Sequence, residues 1–189
     1  MQLPVRQNPK FSPNDAAKQY RTWRIGSSNV SKNDGGNRYH GVPAANGRAK
    51  KHLGIMDHSA ISALLDSTFA PWIRDLGLSP ESILDASVTL RLPHADKLRH
   101  AGGVICGQVF MAAADTAMIV AISHAHGGFQ PMTTVSLTTS FLRPVKSGDV
   151  LVTATILRRG RNLVFGAIEL HDETGALAAH ATTTVMLIA

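Results

Sequence analysis

The chain has 189 residues, 44% of them hydrophobic and 17% charged, which fits one well-cored globular domain and excludes a wholly disordered or fibrous protein. Its single cysteine, Cys106, excludes an intrachain disulfide and a cysteine-built metal site and agrees with a reducing compartment. The formal charge of +6 belongs to the leader and leaves the remaining domain close to neutral, because residues 1–55 hold ten Lys/Arg against Asp15 and Asp34 while the remainder holds nine bases and eleven acids.

The start MQLPVRQNPK has no apolar stretch behind its charges, so a secretory signal is not expected and a cytoplasmic location is. Residues 1–55, with SSNVSKNDGGNRYHGVPAANGRAKK at their centre, show neither helical nor strand periodicity and read as a disordered basic leader. An electrostatic tether helped by Tyr20, Trp23 and Tyr39 is one reading of it. A flexible tail, or a translation start placed ahead of Met56, is another. No nucleic-acid or membrane partner is expected, since scattered charges bind weakly and the longest apolar run, Val109 to Ile122, is broken by Asp115 and Thr116.

Residues 56–189 form the folded part. DHSAISALLDSTFAPWIRDLGL sets Ile61, Leu64, Leu65, Phe69, Trp72, Ile73 and Leu76 at helical spacing up to Gly77, which predicts one amphipathic helix with a kink at Pro71. SILDASVTLRLP alternates Ala86, Val88, Leu90 and Leu92 with Asp85, Ser87, Thr89 and Arg91, the pattern of a half-buried strand stopped by Pro93. After a loop to about Ile105, residues 107 to about 124 form a helix that is apolar almost all round and ends at Gly127-Gly128. Four strand-like runs follow: MTTVSLTTSFLRP, DVLVTATILRR, NLVFGAIELHD and ALAAHATTTVMLIA. Their short, turn-rich separators predict consecutive antiparallel neighbours. The fold class is α+β, a five-stranded antiparallel sheet wrapped around the long central helix.

Asp115 is the odd residue in that helix. Its neighbours three and four positions away are Met111, Ala112, Met118 and Ile119, so it lies off any solvated stripe. Either a hydroxyl, a backbone group or an arginine satisfies it, or it serves as a general base or nucleophile. At the helix start, Gly103 to Gly107 offer free N–H groups and the positive end of the helix dipole, suited to a developing oxyanion, and Gly107 lets a carbonyl approach closely. Eight helical residues separate Gly107 from Asp115 by about 12 Å, too far to act on one carbonyl. If both act, two antiparallel copies of the helix must meet, and a two-fold dimer is required.

These residues carry a resemblance. From about Ser87 onward the chain resembles the hotdog-fold acyl-CoA thioesterases of the PaaI-like, phenylacetate-pathway group, through GGVICGQVFMAAADTA, TVSLTTSFLRPVKSGD and ILRRGRNLVFGAIELHDETGALAAHATTTV. The resemblance implies an acyl-CoA substrate, no cofactor, and a homodimer or dimer of dimers. It implies that Asp115 is the general base or nucleophile, that the Gly107 N–H of the other subunit polarises the thioester carbonyl, and that Thr134, with Thr133 beside it, holds the water or the acid. Arg158, Arg159 and Arg161 would meet the phosphates of coenzyme A. Where many relatives have His-Gly-Gly at the helix start and an Asn six residues before the His, this chain has Cys106-Gly107-Gln108 and His100. Those positions bear on substrate preference: Cys106 as a small packing residue or a nucleophile, His100 as a backbone-bonded loop residue or a group orienting acid or substrate.

His124 and His126 in SHAHGG can complement the helix dipole or begin a metal site, and no metal is expected. The glycines of HAGGVICG lack the Lys-Ser/Thr of a phosphate loop. Three functions stand: a thioesterase, a non-catalytic acyl-CoA-binding hotdog protein, and a module whose basic leader does the work. A hydratase is disfavoured because the helix shows no acid-and-histidine pair at a tunnel mouth.

Overall fold

The computed structural model describes residues 56–188; the leader, its aromatic residues and the boundary at 55 lie outside them. Asp57 caps the first helix, α1 (His58–Thr68), accepting the Ala60 N–H at 2.8 Å. Ile61, Leu64 and Leu65 form its buried face. The expected single kinked helix is two helices, because Pro71 holds Ala70 extended (ψ 151°) and opens a separate short helix, α2 (Pro71–Arg74). Trp72, expected on the inner face, is 63% exposed as a result.

The sheet has six strands instead of five: β1 (Ser79–Leu84), β2 (Ser87–Leu92), β3 (Met132–Phe141), β4 (Val150–Arg159), β5 (Leu163–His171) and β6 (Leu177–Leu187). What reads as one strand around Asp85 is a hairpin, with Asp85 and Ala86 in its turn and Leu84 paired with Ser87. Pro80 and a bulge between Pro80 and Ser82 are tolerated because β1 is an edge strand. The bulge faces Glu81 toward Arg91, which grips it through two nitrogens at 2.8 and 2.9 Å and holds Asp149 at 3.0 Å.

The order across the sheet is β1-β2-β4-β5-β6-β3, antiparallel throughout. The last three strands are consecutive neighbours as expected, but β3 pairs with β6 at the far edge and not with β4. Residues 142–149 make the crossing. Leu142 and Arg143 donate to Ala178 O, and Val145 O accepts from Ile105 N–H. Three strand spacings are only about 14 Å, well within reach of eight residues.

The central helix, α3 (Gly107–His126), closes in a left-handed Gly127 (φ 72°) whose N–H returns to His124 O. It is as long and apolar as a membrane span, contrary to the sequence expectation, but 61% of that window is buried inside the domain. Val120, Ala121, Ile122 and Met118 meet Val152, Ala154, Ile168 and Leu170 in one core. Gly166 on β5 leaves room for Met118: a Cβ there would overlap the methionine methyl and stand 3.1 Å from Thr155 O.

Candidate active site

Asp115 sits halfway along α3 and is half-buried in a single chain, with Met111 (38% exposed), Ala112 and Ile119 beside it on the only incompletely covered stripe of the helix's middle. The acid therefore faces the side of α3 that its own sheet closes least. β3 passes there. Thr134, on the inward face of β3 opposite Val185 of β6, donates its hydroxyl to Asp115 Oδ1 at 2.7 Å. A bulge at Val135 lies immediately beyond this contact, and Val135 is 58% exposed at the free edge of β3. Thr133, one residue earlier, faces the other side of the sheet and is exposed. Among the described residues no second partner occupies Asp115 Oδ2.

Gly107 is the first residue of α3. Cys106 precedes it in extended backbone (ψ 142°), with its own N–H on Leu98 O and its carbonyl accepting from Val109 and Phe110. The N–H groups of Gly107 and Gln108 have no carbonyl behind them in the helix and no acceptor among the described residues. Cys106 is a half-buried free thiol at the cap, and Gln108 is exposed. A pocket of about 400 Å³ opens at this helix start, walled by Val104, Ile105, Phe110 and Phe141 and continued by Leu142, Arg143 and Pro144. Phe141 stacks on Phe110 with centroids 6.5 Å apart. Arg143 is exposed at the rim. Hydrogen bonds from the Thr174 hydroxyl and Ala176 N–H hold the Asp172 carboxyl below the usual aspartate range, and the charge of Arg143 adds to the effect.

His100 is not aimed at this pocket. Its Nδ1 accepts from Gly102 N–H at 2.9 Å within its own loop. Arg99 ties that loop down through Gly103 O at 2.8 Å. Arg158, Arg159 and Arg161 are exposed at the β4–β5 hairpin, and Arg159 donates to Ala125 O at 3.0 Å, so they stand at the other end of α3 from Gly107. His126 Nδ1 meets Ile122 O at 2.8 Å, while His124 is 6% exposed in the core.

Within one chain, then, the structure joins Thr134 to Asp115 and sets Gly107, Cys106 and Gln108 apart from them, with the hairpin arginines farther still. Phe141, Phe110 and Arg143 were not singled out in the sequence. SFLRPV was legible as the end of a strand, but nothing in it revealed that the strand returns to the start of α3.

Residues 102–179 match the family model of the thioesterase superfamily. A protein of Thermoplasma acidophilum provisionally described as an esterase is 26% identical over 121 residues, 60% of this chain and 85% of its own. Among solved structures, a conserved protein from Pseudomonas aeruginosa is 28% identical, covering 65% of this chain and 98% of its own with a TM-score of 0.60. A thioesterase from Haemophilus influenzae (22% identical, 70% and 91% covered, TM-score 0.64) and the PaaI protein of the E. coli phenylacetic acid degradation operon (17%, 69% and 92%, 0.61) share the fold. A six-stranded antiparallel sheet around one long helix gives this chain the hotdog fold, and α3 with the strands after it as far as Ala179 is similar to the thioesterase superfamily.

Proposed function

We propose that this protein hydrolyses an acyl- or aryl-CoA thioester to the free acid and CoA, as a two-fold homodimer able to pair further into a dimer of dimers. The observation that carries the reading is the 2.7 Å bond from Thr134 to Asp115 Oδ1 on the incompletely covered stripe of α3. It fixes the carboxylate and leaves Oδ2 for chemistry. The Gly107 N–H stands about 12 Å away along the same helix, so the donor serving this acid is Gly107 of an antiparallel second copy.

Water attacks the thioester carbon as Asp115 Oδ2 takes its proton; attack by the carboxylate itself, with later hydrolysis of the anhydride, uses the same position. The carbonyl electrons move onto oxygen, where the unpaired Gly107 N–H and the helix start stabilise them. Collapse of the tetrahedral species breaks the C–S bond, and the departing thiolate recovers the proton. Arg158 and Arg161 are the hairpin cations left for CoA phosphates, since Arg159 is engaged with Ala125 O. They lie about 15 Å beyond Asp115 along α3 and would serve the site built on that acid. A CoA thioester substrate also suits a cytoplasmic location.

The test is turnover of an acyl- and aryl-CoA panel, followed by release of free thiol, in wild type and Asp115→Asn. Loss of at least about 100-fold in the variant is expected if a general base is removed. Tight binding of the esters without turnover by the wild type would instead identify a non-catalytic acyl-CoA-binding protein.

A further inference from the structure

We propose that Phe141 sets the size of the acyl group this protein accepts, and that Gly107 lacks a side chain in order to seat that ring. The inference rests on the thioesterase reading for the identity of the ligand, but it is argued from the pocket itself. A Cβ on Gly107 would lie 3.1 Å from Phe141 Cζ, 3.2 Å from Cε1 and 3.6 Å from Cε2, so the ring fills the space that the glycine leaves. Its far face is free. Phe141 is 52% exposed, whereas Phe110, on which it stacks, is only 3% exposed and fixed in the core. The pocket thus has one buried aromatic wall, Phe110, and one half-exposed aromatic wall, Phe141, at the end of β3.

The position matters because the ring stands beside the unpaired N–H of Gly107. A carbonyl that reaches this donor carries its acyl group against the ring. A short acyl group fits with the ring seated; a longer one must displace it, giving up the stack on Phe110 and the contact with the glycine. Size selection then comes from the cost of unseating one side chain, in a pocket otherwise walled by Val104 and Ile105.

The coupling can be read without turnover, by calorimetric binding of non-hydrolysable S-alkyl-CoA thioethers of increasing chain length to the full-length protein. In Phe141→Ala the ratio of long-chain to short-chain affinity should rise at least about tenfold, the scale of one misfitted group in an apolar pocket. Phe141→Leu should shift it in the same direction by less, and replaces the alanine variant if that one fails to fold. Gly107→Ala, which keeps the N–H, should weaken short-chain binding by pushing the ring aside, and should have no further effect when Phe141 is already alanine. A chain-length profile unchanged in both Phe141 variants overturns the proposal. So do additive effects of the two substitutions, or a wild type that binds none of the thioethers. A protein that binds them with the expected coupling yet hydrolyses no thioester would refute the thioesterase reading and leave the size filter standing.

Discussion

If Asp115 and the Gly107 N–H act from opposite subunits, two inactive variants should repair each other. Gly107→Pro removes the N–H without breaking the helix: the residue is the first of α3, where proline is well tolerated, and Cys106 before it already has the extended backbone a proline requires. Its ring meets Phe141 as any side chain here would, so Gly107→Ala, with the same Cβ and an intact N–H, is the control. Asp115→Asn disables the other half. In a mixed dimer one site combines both lesions and the other carries neither. Equal mixing gives half mixed dimers, each with one live site of two, so unfolding and refolding the variants together should recover about 25% of wild-type turnover, from two parents near zero. An active site contained in one chain would leave the mixture as inactive as its parents. That result would refute the argument from helix spacing.

Three further outcomes are expected. Thr134→Val should lower kcat/KM roughly 10- to 150-fold, because a hydroxyl on a carboxylate contributes about 1.5–3 kcal/mol, and Thr134→Ser should restore most of it; wild-type kinetics in the valine variant would contradict a positioning role. The Asp149 carboxyl is held below the usual range by His94 N–H and Arg91, so the stability it contributes is present above about pH 4 and is lost as pH falls through its native value. The difference in Tm between wild type and Asp149→Asn should therefore shrink from pH 6 to pH 3, and a constant gap would exclude the linkage. Gly166→Ala should cost about 1–3 kcal/mol in urea unfolding, since the new methyl collides with fully buried Met118; an unchanged midpoint would mean that α3 shifts freely over β5.

The long helix was legible from Gly107 to its glycine stop because burial on nearly every side leaves a long apolar record, interrupted between Val109 and Ile122 only at Asp115 and Thr116, and β4 to β6 because tight turns separate clean alternations. β1 was not. Ser79, Glu81 and Ser82 face outward around a proline, and an edge strand with a bulge keeps too little alternation to announce itself. The placement of β3 was hidden for a different reason: an eight-residue connection permits either a neighbour or a crossing, and only the packing of α3 against the sheet decides. At the site, an acid amid apolar neighbours was visible as an anomaly, but its incompletely covered stripe was not, since periodicity cannot distinguish a fully packed face from one left partly open. The contact of Phe141 with Gly107 joins residues 34 positions apart and leaves no local trace.

Two glycines hold α3 in place by contrasting means. Gly166 receives Met118, which is wholly enclosed, and Gly107 receives Phe141, which is half in solvent. The first behaves as a rivet and the second as a latch. Met118 follows Asp115 by three residues, so the carboxylate inherits its steadiness from a joint that cannot slip without opening the core. If Phe141 sets acyl size as proposed, any give that acyl groups of different bulk demand must then be taken up at the end of β3, and selectivity should be able to drift by changes at Phe141 while the acid, its threonine and the helix beneath them stay where they are.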